Sequence, residues 1–155
     1  LFVLPDVATA QTERAASGLP LPRFVSLRSD KVHMRTGPGV RYPIDWVYKR
    51  QNMPMEVVAE FGTWRKVRDF QGTEGWMHQS MLSNKRTLAV TGQTRTLRIN
   101  SDSKSPAVAR IEPSVTGKII RCQKNAGWCK LSFGKYEGWL RRVEFWGAYP
   151  TEKIN

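Results

Sequence analysis

Histidine and cysteine are almost missing from this chain, with two of each among 155 residues. Cys122 and Cys129 do not form a C-x-x-C pair, and His33 and His78 are single and widely separated. That leaves no set of residues able to hold zinc. Each histidine reads as solvated or satisfied by a neighbour. There is no G-x-S-x-G nucleophile motif, and Gly37-Pro38-Gly39 lacks the Lys-Ser or Lys-Thr ending of a phosphate loop. The 13 carboxylates fall on turns or beside Lys and Arg, so no acid/base pair stands out. The expectation is a chain that is not an enzyme and uses no metal or cofactor. No run reaches the roughly 20 apolar residues that a transmembrane helix needs, and long helical periodicity is absent.

What the chain does have is repetition. Gly62-Thr63-Trp64-Arg65-Lys66-Val67 followed by Glu74-Gly75-Trp76-Met77 returns as Gly127-Trp128-Cys129-Lys130-Leu131 followed by Glu137-Gly138-Trp139-Leu140. The two tryptophans are 12 residues apart in the first copy and 11 in the second. Met34-Arg35 precedes the first copy much as Leu97-Arg98 precedes the second. One structural unit is therefore used twice. With 12 glycines and 9 prolines placed where turns are expected, short strands in small barrels are the expected elements. Trp64-Arg65-Lys66-Val67-Arg68-Asp69-Phe70 alternates apolar and polar residues, as a half-buried strand does.

These patterns divide the chain into residues 23–84 and 85–149, with no linker of any length between them, so the two units should touch. Residues 11–22 read as a polar linker and residues 150–155 as a tail. Residues 1–10 are apolar and end in Ala8-Thr9-Ala10 before Gln11, the form of a signal-peptide cleavage site. The expectation is an exported chain, periplasmic or secreted. Lys118 to Cys122 and Trp128 to Phe133 read as strands joined by a turn at Asn125-Ala126-Gly127, which would set Cys122 opposite Cys129. A disulfide there suits an oxidising compartment.

The formal charge is +12. A field of that sign favours anionic partners: nucleic acid, acidic lipid, phosphorylated glycans or the carboxylates of peptidoglycan. Basic residues interleave with aromatics at Trp64-Arg65-Lys66-Val67-Arg68 and at Trp139-Leu140-Arg141-Arg142, a surface on which small barrels can hold single strands. Export argues against nucleic acid as the partner.

Arg35-Thr36-Gly37-Pro38-Gly39, Gly62-Thr63-Trp64-Arg65-Lys66-Val67 and Gly75-Trp76-Met77 resemble the motifs of the bacterial SH3-like family. The second copy keeps Leu97-Arg98, Gly127-Trp128 and Gly138-Trp139 but has Asn100-Ser101-Asp102-Ser103 in place of the Gly-Pro-Gly turn. The resemblance implies an all-β chain of two tandem SH3-like barrels, each of five or six strands, packed against each other. It also implies binding rather than catalysis, with an anionic cell-envelope component such as peptidoglycan peptide as ligand, or a periplasmic protein docking on a scaffold. Tyr42, Trp46 and Tyr48 are not matched by aromatics in the second copy, so with Trp64 they form a candidate groove. Arg35 either adds a contact to a carboxylate or, since Arg98 repeats it, supports the fold. Trp76 and Trp139 follow a glycine and are expected to fill the barrel ends.

Overall fold

The computed structural model describes residues 16–155. The expected signal-peptide remnant at residues 1–10 lies outside them. Seven strands build the first unit: β1 (Arg23–Leu27), β2 (Val32–Arg35), β3 (Ile44–Tyr48), β4 (Pro54–Phe61), β5 (Trp64–Arg68), β6 (Glu74–His78) and β7 (Leu82–Ser83). They are ordered β3-β2-β6-β5-β4-β1-β7 in one antiparallel sheet. Seven more build the second: β8 (Thr87–Val90), β9 (Arg95–Arg98), β10 (Ala107–Ile111), β11 (Thr116–Cys122), β12 (Trp128–Phe133), β13 (Tyr136–Arg141) and β14 (Phe145–Trp146). Their order, β10-β9-β13-β12-β11-β8-β14, is the first order moved on by seven. The sequence repeat is thus a repeat of topology. The expected five or six strands become seven because a two-residue strand closes each unit after a single 3₁₀ turn, Gln79–Met81 or Arg142–Glu144.

Alternation decides what goes inside. On β5, Arg65 and Val67 point inward, while Trp64, Lys66 and Arg68 stay partly exposed. Leu27, Val32, Met34, Met55, Val57, Val67 and Met77 are fully buried and form the first core. Leu88, Val90, Leu97, Cys129, Leu131 and Leu140 do the same for the second. The glycine before each repeated tryptophan has a physical cause. A Cβ on Gly75 would lie 2.4 Å from Cγ of Met34, and one on Gly138 would lie 2.6 Å from the Arg98 carbonyl oxygen and 2.8 Å from Cγ of Leu97. The glycine faces inward, so its neighbour faces out. Trp76 and Trp139 therefore do not fill the barrel ends; both stand half-buried on the outer face, Trp139 beneath the Arg121 guanidinium at 5.4 Å.

The two units close one corner differently. Buried Arg65 donates to the carbonyls of Gly62 and Trp64 and to Oε1 of Gln79. The matching position in the second unit is Cys129, directly opposite Cys122 in the strand register and joined to it by a disulfide.

The described part of the expected linker, residues 16–22, and the expected tail, residues 150–155, are both held against the domains. Ser17 donates from its backbone and its hydroxyl to the Glu60 carboxylate at 2.9 and 2.6 Å, and Leu21 packs against the first core. Burial alone would raise the Glu60 pKa. The hydrogen bonds from Ser17 and Arg23 and the charge of Arg65 outweigh it and hold the carboxyl below its ordinary value. At the other end, Ile154 is buried and exchanges both backbone hydrogen bonds with Cys122. Arg86 grips the Glu152 carboxylate with two nitrogens, at 2.6 and 2.7 Å. A single bridge between Ile154 and Cys122 thus sets the end of the chain beside the disulfide hairpin.

The units pack against each other. Phe24 of β1 meets Trp146 edge-on at 4.8 Å and Tyr149 at 4.6 Å, with the Arg86 guanidinium over its ring. The Tyr149 hydroxyl donates to Glu56 at 2.8 Å, and Arg50 donates to the Ser114 carbonyl at 3.1 Å. Apolar rings with polar edges anchored at both ends hold two small domains in one arrangement.

Candidate functional site

The outer faces of β2, β6 and β5 form the floor of the site. Arg35 is paired with Trp76, and Trp64 with His78. Two positions along from the first pair, the antiparallel register turns His33 toward His78. The Gly-Pro-Gly loop rises beside this floor and carries Val40, which is 77% exposed. The result is a concavity of about 450 Å³ lined by Lys31, His33, Arg35, Val40, Trp64 and His78, with Ser80 and Met81 at its margin. It continues past Val40, Trp64 and His78 along Pro38–Arg41. Among the described residues no carboxylate lines either stretch.

Each wall residue is held. His78 lies edge-on to Trp64, with ring centroids 5.3 Å apart. Its Nδ1 accepts from the Ser80 backbone N–H and lies 2.7 Å from the Ser80 hydroxyl. In the neutral ring that places the proton on Nε2, where it can be donated to a ligand. Arg35 Nη1 donates to the carbonyls of Val40 and Tyr42 at 3.2 and 3.0 Å, and so fixes the loop against β2. Arg98 does the same to Ser105 in the second unit. This shared tether explains why the arginine is repeated; only in the first unit does it also line the concavity with Trp64.

Of the five groove residues expected from the sequence, the structure brings Arg35 and Trp64 together. Tyr42 is a prop. A Cβ on Gly37 would lie 2.5 Å from its ring, so the glycine turn folds directly onto the tyrosine. Trp46 is 55% exposed, but it sits opposite Met34 on β3 and outside the residues lining the concavity. Tyr48 is not a groove residue at all. It is buried in the first core, and its hydroxyl donates to Oδ2 of Asp69 at 2.7 Å. Burial, and then the Asp69 carboxylate, push its phenol far above the ordinary tyrosine pKa. Its reach to Asp69, a residue needed to cap the Gln71–Thr73 turn, explains why an unmatched aromatic is there.

His33, His78 and Val40 were missed. The register signal was present, because His78 follows Trp76 by two and shares its face, but the pairing of β2 with β6 is not written in either segment alone. The basic-aromatic interleaving is also less than it looks. Arg65 in the first stretch and Arg142 in the second are both buried and spend their donors on protein groups. A nucleic-acid surface would need those charges outside.

Residues 28–84 and 92–147 each match the bacterial SH3 domain family. The chain belongs to that family, and carries two copies of the domain in tandem. No curated protein matches the sequence. Among solved structures, NlpC1 from Trichomonas vaginalis is similar over 86% of this chain and 49% of its own, at 11% identity and a TM-score of 0.38. NlpC2 from the same organism is similar over 80% and 47%, at 9% identity and a TM-score of 0.37. The chain thus spans about half the length of each. Among the described residues no helix is long and apolar enough to cross a membrane, and no cluster of three or more His, Cys, Asp or Glu could hold a metal.

The second domain has the same frame with different walls. The positions matching His33 and His78 are Thr96 and Arg141, and Arg141 is already paired with Glu144 at 3.3 Å. The two copies therefore differ at the site while sharing the core.

Proposed function

We propose that this protein is a non-catalytic binding module of the bacterial cell envelope. In this reading the concavity of the first domain takes an anionic peptide such as the stem peptide of peptidoglycan. The observation that carries it is the meeting of Trp64, His78, His33 and Arg35 in one concavity that, among the described residues, no carboxylate lines. Trp64 and Val40 supply apolar contact, and an edge-on tryptophan loses little entropy on binding. Arg35, Lys31 and the Nε2–H of His78 supply donors for a carboxylate. The Cys122–Cys129 disulfide supports an exported location, periplasmic or secreted. The second domain supports the first by packing, and its own matching face is partly neutralised by Glu144.

Co-sedimentation of the protein with purified sacculi at low and near-physiological salt tests this reading. Pelleting that persists at the higher salt and falls with Trp64→Ala is the expected result. Pelleting only at low salt would mean attraction by net charge alone. No pelleting at either salt would overturn the assignment, and a protein partner docking on a scaffold would take its place.

A further inference from the structure

A second recess lies between the domains, away from the concavity just described. It encloses about 310 Å³, small but within the range of ligand sites. The strand register builds its wall. Thr87 of β8 is opposite Lys118 of β11, and Lys118 is opposite Ser132 of β12, so the three side chains form one cross-strand row. Lys85 enters from the chain between the domains, its carbonyl held by the Ser26 hydroxyl at 2.8 Å. The Gln51-Asn52 turn of the first domain forms the opposite rim, and Arg50 pins that turn to Ser114 and Thr116.

Charge is distributed unevenly here. Glu56, Glu60, Glu74, Glu137, Glu144 and Glu152 each pair with Arg or Lys elsewhere. Among the described residues none reaches Lys85 or Lys118, and no carboxylate lines the recess. Lys85 and Lys118 thus line one small recess together with residues that carry hydroxyl and amide groups. Gly117 lines the recess too, packed so tightly on the Phe133 ring and the Ser132 carbonyl that a Cβ would lie 2.7 Å from each. The Thr87 hydroxyl in this wall is buried with no hydrogen-bond partner among the described residues.

We propose that this interdomain recess binds a phosphate group, either free or as the monoester of a small sugar. Lysine acts as a point charge and serves a tetrahedral oxyanion, whereas planar carboxylates are best matched by the arginine fork. Arg50, next to the Gln51-Asn52 rim, is committed to Ser114 and Thr116. Thr116 and Asn52 offer neutral hydrogen bonds that would orient the ester, while the Gln51 amide and the Ser132 hydroxyl already donate to the carbonyls of Arg28 and Gly134. Because both domains contribute, the site depends on their packing.

The test is titration of the ¹⁵N-labelled full chain with inorganic phosphate and, separately, with a hexosamine phosphate, at near-physiological salt. The expected result is saturable shifts at the amides of Thr87, Gly117, Lys118 and Ser132. Lys118→Gln should weaken binding about tenfold, and Lys85→Gln with Lys118→Gln should abolish it. Both lysines are exposed, so the variants keep the spectrum of the folded protein. Tighter binding of the ester would place the sugar in the recess, and equal binding would assign the site to phosphate alone. Non-saturating shifts spread over surface lysines, or saturable shifts unchanged in the double variant, would overturn the proposal. Trp64→Ala should leave these shifts intact, which separates this site from the concavity of the first domain.

Discussion

Replacing Arg142 should do more damage than replacing any other charged residue of the second domain. Its side chain is 7% exposed and donates to four backbone carbonyls, those of Ala126, Tyr149, Gln123 and Glu152, at 2.5 to 2.7 Å. Two of these belong to the disulfide hairpin and two to the C-terminal stretch, so one guanidinium joins both to the 3₁₀ turn that follows β13. Burial lowers its pKa, countered by the charge of Glu152, but an arginine stays charged at any pH of interest. Four charge-assisted bonds at roughly 1.5–3 kcal/mol each come to about 6–12 kcal/mol gross. Holding a cation out of water costs several kcal/mol of that. We expect Arg142→Ala to lose about 3–5 kcal/mol, a melting shift on the order of 10 °C for a chain of this size. Urea unfolding followed by near-UV circular dichroism measures the loss, and limited trypsin digestion should find cleavage after Lys153 appearing first. Arg142→Lys is the sharper variant. A single ammonium cannot reach four carbonyls set around a planar fork, so it should recover less than half of the loss. Full recovery by lysine, or a loss below about 1 kcal/mol for alanine, would refute the argument from hydrogen-bond geometry.

Other changes follow from the same physical terms. Gly75→Ala drives a methyl into Met34 and toward the Arg35 carbonyl, so it should destabilise the first domain by about 1–3 kcal/mol, read as an earlier urea midpoint. Tyr48→Phe removes the bond to buried Asp69 and should cost about 1–2 kcal/mol without changing pelleting with sacculi, whereas Trp64→Ala should reduce pelleting at little cost in stability. Glu60 has its pKa lowered in the folded chain, so the unfolded chain binds the extra proton on acidification. Its stabilisation is present above the ordinary carboxyl value and is lost as the pH falls through the lowered one; Glu60→Gln should flatten that part of a stability-against-pH curve. Reduction of the Cys122–Cys129 bond, which spans seven positions, should lower stability by about 2–3 kcal/mol by releasing a short loop in the unfolded chain.

Local physics could be read directly from the chain wherever the partners are close in sequence. The Gly-Pro-Gly turn, the alternation of β5 and the facing of Cys122 and Cys129 across a tight hairpin all depend on residues within a dozen positions. The repeat then extended this to two domains of one topology. Tyr48 and Trp76 show where the reading stops. A period of two states that neighbours point to opposite faces, but not which face is inside. That was decided by Met34 lying across Gly75 and by Asp69 waiting beneath Tyr48. The bonds from Arg142 back to the disulfide hairpin, the facing of His33 and His78, and Lys85 and Lys118 lining one recess likewise come from segments distant in sequence. Sequence by itself determined the elements, their turns and their duplication, because those follow from backbone preference and short-range pairing. Only the tertiary structure decided which side chains share a space, because that depends on long-range register and on which groups can satisfy one another once water is excluded.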